Sequence, residues 1–242
     1  MTTENRHAAL GNLVPDDRGH NLLVGEDVEI DPTASIGANV IIDDGVRIGP
    51  GVTIRHNVIL GQGPTLAPTT RALPVEERLT WIEAGATISN AAQVIRGATI
   101  GPRTIVGDMA FVREGATIGE DCVIGRNCGI GPSADVRNRV NIQPHANLVP
   151  WILVEDDVFI GGHFAATTDG SFGRDPTLAR GRVILRRACR IGLAARVLAG
   201  VEIGEEAYVG AAALVRESVP ARARVAGVPA RIIGTVSAEE LL

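Results

Sequence analysis

In "VEIDPTASIGANVIIDDGVRIGPGVTIRHNVIL", residues 28–60, an aliphatic side chain returns at every sixth position. Val24, Ile30, Ile36, Ile42, Ile48, Ile54 and Leu60 keep this step without an error, and Val28, Ala34, Val40, Val46, Val52 and Val58 stand two residues before the last six. A helix repeats at 3.6 residues and a plain strand at 2, so neither accounts for a strict six. Six residues make one short strand and one turn. Three such units close a triangular coil of eighteen residues, and stacked coils pair their strands in parallel at about 4.8 Å.

The same step resumes at Ile82 and runs through Val106, Ile124, Ile142 and Val154 to Ile160. It resumes again from Leu185 through Ile191, Val197, Ile203 and Val209 to Val215. The 27 hexads predict an all-β solenoid of about nine coils. The residue two before each aliphatic is small or β-branched (Ala86, Ala92, Cys122, Cys128, Cys189, Ala207), as an inward position with little room requires. Gly follows the aliphatic at Gly37, Gly49, Gly101, Gly119, Gly125 and Gly204, which predicts a turn with unusual φ there.

The register breaks at two excursions, near 61–81 and 161–184, both rich in Gly, Pro and Thr. Loops on a rigid scaffold are places where function is carried. The expected organisation is a polar N-terminal segment over 1–23, a solenoid domain over 24–234, and a tail over 235–242 with a short helix from about Ser237.

Aromatic residues are 3% of the chain, so the core consists of many small similar layers. All 23 basic residues are Arg, and the net charge of −5 argues against a general nucleic-acid or membrane-surface binder. The stretch from Arg182 to Arg231 is locally basic, with nine Arg against four Glu, which suits an anionic ligand or a solvated face equally. The three cysteines fall on inward positions and form no CxxC, so they read as buried reduced thiols and the protein as cytoplasmic. No run approaches the length of a membrane span, and the N-terminus has no apolar signal segment.

Residues eighteen apart stack. His145 and His163 differ by eighteen, and Asn127 lies eighteen before His145. The three form one column, each three residues past its aliphatic. They are the candidate catalytic pair His145 and Asn127, with His163 and Asp169 of the second excursion as candidate acceptor contacts. Pro144 and Trp151 are expected to shape a less polar surface around them. Histidine as a residue type accepts a proton near neutral pH, and an Asn amide orients an amine or donates to an oxyanion. A solvated polar wall is the competing account. Metal is not expected, because Asn is a poor zinc ligand and no His-x4-His pair occurs.

The [LIV]-G-x-x-[small]-x pattern over roughly 24–234 resembles the hexapeptide-repeat acyltransferases, whose fold is a left-handed parallel β-helix. "VIGRNCGIGPSADVRNRVNIQPHANLVPWILVEDDVFIGG" and the closing "IGEEAYVGAAALVRESVPARARVAGVPARIIG" are similar to nucleotide-sugar amine N-acetyltransferases. That resemblance implies acetyl-CoA as acyl donor in a groove between subunits of a homotrimer. Leu193, Ala211, Arg216 and Arg231 are then the expected donor contacts, and the family's substrate-contacting Asn falls on Asn127. It implies transfer of an acetyl or short acyl group to an amine, with O-acyl transfer and a non-catalytic scaffold as the alternatives. His145 stands where many members carry Asn.

Overall fold

Each hexad folds as a two-residue strand followed by a turn, for example Val123–Ile124, Gly129–Ile130 and Asp135–Val136. The computed structural model describes residues 13–66, 79–171, 174 and 181–242. The first twelve residues, and the stretches 67–78, 172–173 and 175–180 of the two excursions, lie outside the described residues. Successive strands fall on three different walls, and each strand pairs in parallel with the one a coil away: Thr99 with Thr117, Val123 with Asn141, Gly129 with Asn147. The result is a left-handed parallel β-helix of about ten turns.

Wall A runs from Leu22–Val24 to Leu214–Val215, wall B from Glu29–Ile30 to Glu202–Ile203, and wall C from Ser35–Ile36 to Ala223–Ala226. The chain passes from A to B to C and back to A, so three edges, AB, BC and CA, run the length of the molecule. The second residue of nearly every strand and the residue two before it point inward. Val40 with Ile42, Cys122 with Ile124 and Ala207 with Ile203 of the preceding hexad are all buried in one continuous column. Removing each large aliphatic from water contributes about 1.5–3 kcal/mol, repeated at every layer. Cys122, Cys128 and Cys189 are buried free thiols. Burial pushes the Cys122 thiol up to about 11, and shifts Cys128 and Cys189 upward for the same reason.

Gly37, Gly49, Gly101, Gly119, Gly125 and Gly204 serve closeness, not φ, whereas Gly61, after Leu60 at the first excursion, has φ +79°. A β-carbon on Gly101 would lie 2.5 Å from the carbonyl carbon of Gly119, and one on Gly125 would lie 2.6 Å from the nitrogen of Pro144. Neither residue has positive φ. The left-handed conformation comes two residues later, at Asn39, Gly45, Gly51, Asn57, Met109, Asp121, Asn127, His145 and His163 among others. These turns are what bend the chain from wall to wall, and Gly, Asn, Asp and His tolerate them best.

The repeat also extends further than its aliphatic signature. Phe164 is fully buried and Ala165–Ala166 pairs on wall A, so one more hexad follows Ile160 and the second excursion leaves after Ala166, not at Gly161. Beyond Val215 the coil continues through a bridge from Ile203 to Val219 and pairing of Tyr208–Val209 with Arg224–Val225. These additions bring the count from nine coils to about ten.

The ends reverse direction. Val14–Asp16 lies antiparallel to Leu22–Val24 on the first strand of wall A, and Arg231–Thr235 lies antiparallel to Ala223–Ala226 on the last strand of wall C. The tail closes with a 3₁₀ turn, Ala238–Glu240, in which the Ser237 hydroxyl and N–H donate to the Glu240 carboxylate. Arg224 pairs with the same carboxylate. No helix among the described residues is long and apolar enough to cross a membrane.

Candidate active site on the CA edge

The CA edge is held by a ladder of backbone bonds in which each turn residue donates to the preceding coil. The Asn127 N–H reaches the Asp108 carbonyl at 2.9 Å, His145 reaches Arg126 at 3.0 Å, and His163 reaches Pro144 at 3.1 Å. Ala194 and Ala212 continue the ladder onto the carbonyls of Gly162 and Leu193. The same edge begins with an amide stack in which Asn21 donates to Asn39 and Asn39 to Asn57. The turn therefore accounts for Asn in this column on conformation alone.

It does not account for two imidazoles in succession. The rings of His145 and His163 stack with centroids 4.9 Å apart and planes 8° from parallel, matching the strand spacing. Both side chains and Asn127 are exposed, and no described carboxylate hydrogen-bonds to either ring. The pair presents ring nitrogens to one approaching molecule, with the Asn127 amide one coil below. That arrangement can take a proton, orient a nucleophile and donate a hydrogen bond to a developing charge.

The remaining expected contacts separate by edge. Leu193 and Ala211 sit on the CA edge directly above Gly162, with the Leu193 side chain hanging over it: a β-carbon on Gly162 would lie 3.5 Å from Leu193 Cδ1. Leu193 is 56% exposed, which leaves an apolar surface one coil from the His163 ring. Arg216 and Arg231 lie elsewhere, together lining a cleft of about 500 Å³ at the C-terminal end of the stack. Asp169 follows wall A and so stands on the AB edge, where its carboxylate accepts from the Ser171 N–H at 2.6 Å and hydroxyl at 2.7 Å. Both excursions leave from this AB edge, after Leu60 and after Ala166. The strand of wall A therefore separates Asp169 from His163 within one chain, and the histidine column does not meet the excursion. Pro144 does neighbour the column, whereas Trp151 turns the AB edge with φ +58°.

Sequence spacing misses one group at this site. Arg196 projects from wall A one coil above Ala165, and its Nη1 donates to the carbonyl of His163 at 2.7 Å and to those of Ala194 and Ala195 at 2.7 and 3.3 Å. Ala165 and Arg196 are paired neighbours 31 residues apart, because the second excursion lengthens that coil. An eighteen-residue rule cannot find the pair.

Two family models match the chain. "Bacterial transferase hexapeptide (six repeats)" covers residues 21–56 and "Hexapeptide repeat of succinyl-transferase" covers 115–143. The chain carries hexapeptide repeats. Among curated proteins, this hexapeptide-repeat chain is similar to the serine acetyltransferase of Salmonella typhimurium, 37% identical over 82 residues, covering 34% of this chain and 28% of that one. It is 34% identical over 89 residues to the serine acetyltransferase of Buchnera aphidicola, covering 37% and 31%. The chain thus matches about a third of the length of these relatives. Among solved structures, the Francisella novicida UDP-N-acetylglucosamine acyltransferase superposes with a TM-score of 0.50 at 18% identity, over 93% of this chain and 71% of that one. That likeness is one of fold.

Proposed function

We propose that the protein is a CoA-dependent acyltransferase that moves an acetyl or other short acyl group onto a small acceptor. The observation that carries this reading is the stacked His145–His163 pair above Asn127, one coil below an exposed apolar edge at Leu193 and Ala211. The acceptor nucleophile attacks the thioester carbonyl, a new acyl bond forms, and the carbon–sulfur bond breaks with the CoA thiolate leaving. His145 takes the nucleophile's proton, Asn127 orients the acceptor, and His163 holds the second coordinate of its position. The donor's acyl arm passes along Leu193 and Ala211. Arg216 and Arg231 bind phosphate at the C-terminal cleft, where planar guanidinium groups suit it.

The first reading of the acceptor is the amine of a nucleotide-linked amino sugar, supported by the similarity of the segments around Asn127 and His145 to amine N-acetyltransferases. A second reading, O-acylation of a small hydroxy compound, is favoured by the serine acetyltransferase relatives. The assembly that goes with either is a homotrimer in the cytoplasm. In it, Asp169, on the AB edge, faces the CA edge of a neighbouring copy. The deciding experiment is transfer from acetyl-CoA with detection of free thiol, across amino sugars, their nucleotide conjugates, and serine. Turnover with an amino sugar conjugate and none with serine selects the first reading, and the reverse selects the second. No thiol release with any acceptor, together with no thermal shift on adding CoA, would leave a non-catalytic β-helix.

A further inference from the structure

Arg196 reaches back one coil from wall A onto the peptide of His163. Its Nη1 group is committed to three carbonyls, those of His163, Ala194 and Ala195. The Nε and Nη2 hydrogens make no hydrogen bond among the described residues, and no carboxylate there pairs with this guanidinium. What remains is the Nε/Nη2 side of the fork, the geometry that matches two oxygens of one carboxylate or phosphate. Pinning Nη1 to backbone removes much of the rotamer freedom that a surface Arg otherwise loses on binding.

The wall beneath this fork is bare. Ala165 is the outward residue one coil below Arg196, and Asn147 is the outward residue one coil below Ala165. The Asn147 carboxamide folds down over Gly129, since a β-carbon on Gly129 would lie 2.8 Å from its Oδ1. The short Ala165 side chain therefore floors a shallow slot roughly two coils, about 10 Å, in height. The stacked His145 and His163 rings stand on the CA edge beside it, in the turns that lead into wall A.

We infer that Arg196 selects an acceptor bearing an oxyanion group, carboxylate or phosphate, and seats that group over Ala165 with the nucleophile turned to the histidine pair. The guanidinium leans toward the His163 coil, not toward Ala211, so it serves the acceptor and not the acyl donor. This inference rests on the acyltransferase reading. It adds Arg196 as a specificity-determining residue that neither the eighteen-residue column nor the family resemblance supplies.

The test is steady-state kinetics of thiol release with matched acceptors: serine against serine amide, and a phosphorylated amino sugar against the free sugar. Wild type is expected to prefer the charged member of at least one pair, and which pair identifies carboxylate or phosphate. Arg196→Gln is expected to raise KM for that acceptor roughly 10- to 100-fold, with kcat changed less than about threefold and KM for acetyl-CoA unchanged. Arg196→Lys, which keeps charge but loses the fork, should recover only part of the loss. Ala165→Leu, which fills the slot and leaves Arg196 in place, should raise the same KM. Equal preference of wild type for charged and neutral acceptors overturns the inference while acyl transfer stands. So does an Arg196→Gln loss that is equal for both members of a pair or that appears in the KM for acetyl-CoA. Absence of thiol release with every acceptor defeats the acyltransferase reading itself, and the inference with it.

Discussion

A methyl group distinguishes two kinds of glycine in this chain. At Gly101 a β-carbon meets the Gly119 carbonyl carbon at 2.5 Å, whereas at Gly51 nothing lies within 4 Å but φ is +65°. Gly101→Ala is expected to cost about 1–3 kcal/mol through overpacking, and Gly101→Asn at least as much. Gly51→Ala is expected to cost about 1–2 kcal/mol through backbone strain, and Gly51→Asn to restore most of it, since Asn accepts the left-handed region. Urea melts of the four variants read the difference. The sequence marks both sets of glycines, but only contact with the next coil tells which demand each one meets. The histidine column, by contrast, was legible from an eighteen-residue difference because stacking follows arithmetic wherever no insertion intervenes. Its chemistry is tested by His145→Ala, expected to lower kcat roughly 10²- to 10⁴-fold while acetyl-CoA still binds. A loss of about tenfold or less, with no His145-dependent limb in the kcat–pH profile, would assign the proton to the departing thiolate.

Individual strands here are two residues long, so each holds its place through its neighbours on the wall and its inward side chain. The tail is the exception, fixed by charge. The side chain of Arg224, then that of Ser237, holds the Glu240 carboxyl well down, at about 2. A carboxyl depressed on folding stabilises its element fully above its unfolded value and loses that contribution as pH falls toward the folded one. The Ala238–Glu240 turn should therefore stay docked as pH drops through about 4 and release only near 2. Arg224→Ala should move release up toward the ordinary Glu range, as followed by amide exchange of the tail. The sequence indicated a short helix from Ser237, and the 3₁₀ turn is its outcome. What the sequence concealed at this scale was the hexad at Phe164–Ala166. Its alanine took the place of the expected aliphatic, and the wall closed over Phe164 instead.

At the scale of the molecule, coils are interchangeable units whose energies add nearest-neighbour fashion. Residues 98–101 and 116–119 both read Ala-Thr-Ile-Gly, so deleting 99–116 removes one whole coil and leaves the junction sequence intact. That variant should fold, with an unchanged β circular dichroism signature and a modestly lower melting midpoint. Deleting seventeen residues instead should abolish folding, because a one-residue slip turns the inward column to water. The period carried the whole architecture, while the place where the excursions leave it depended on an edge assignment that only the closed triangle reveals. Light scattering is expected to give three times the 25.3 kDa chain. The antiparallel strands Val14–Asp16 and Arg231–Thr235 bear on what happens beyond that number. A stack of parallel coils is in principle open-ended, since its last rung offers the same hydrogen-bonding face that received the rung before. Reversing polarity at the start of wall A and the end of wall C makes those rungs poor templates for another molecule's coil. The two short strands thus act as stoppers against fibre growth, and a chain trimmed at both ends, to begin at Leu22 and stop at Gly227, is expected to elongate end to end into filaments, whereas trimming one end alone is not.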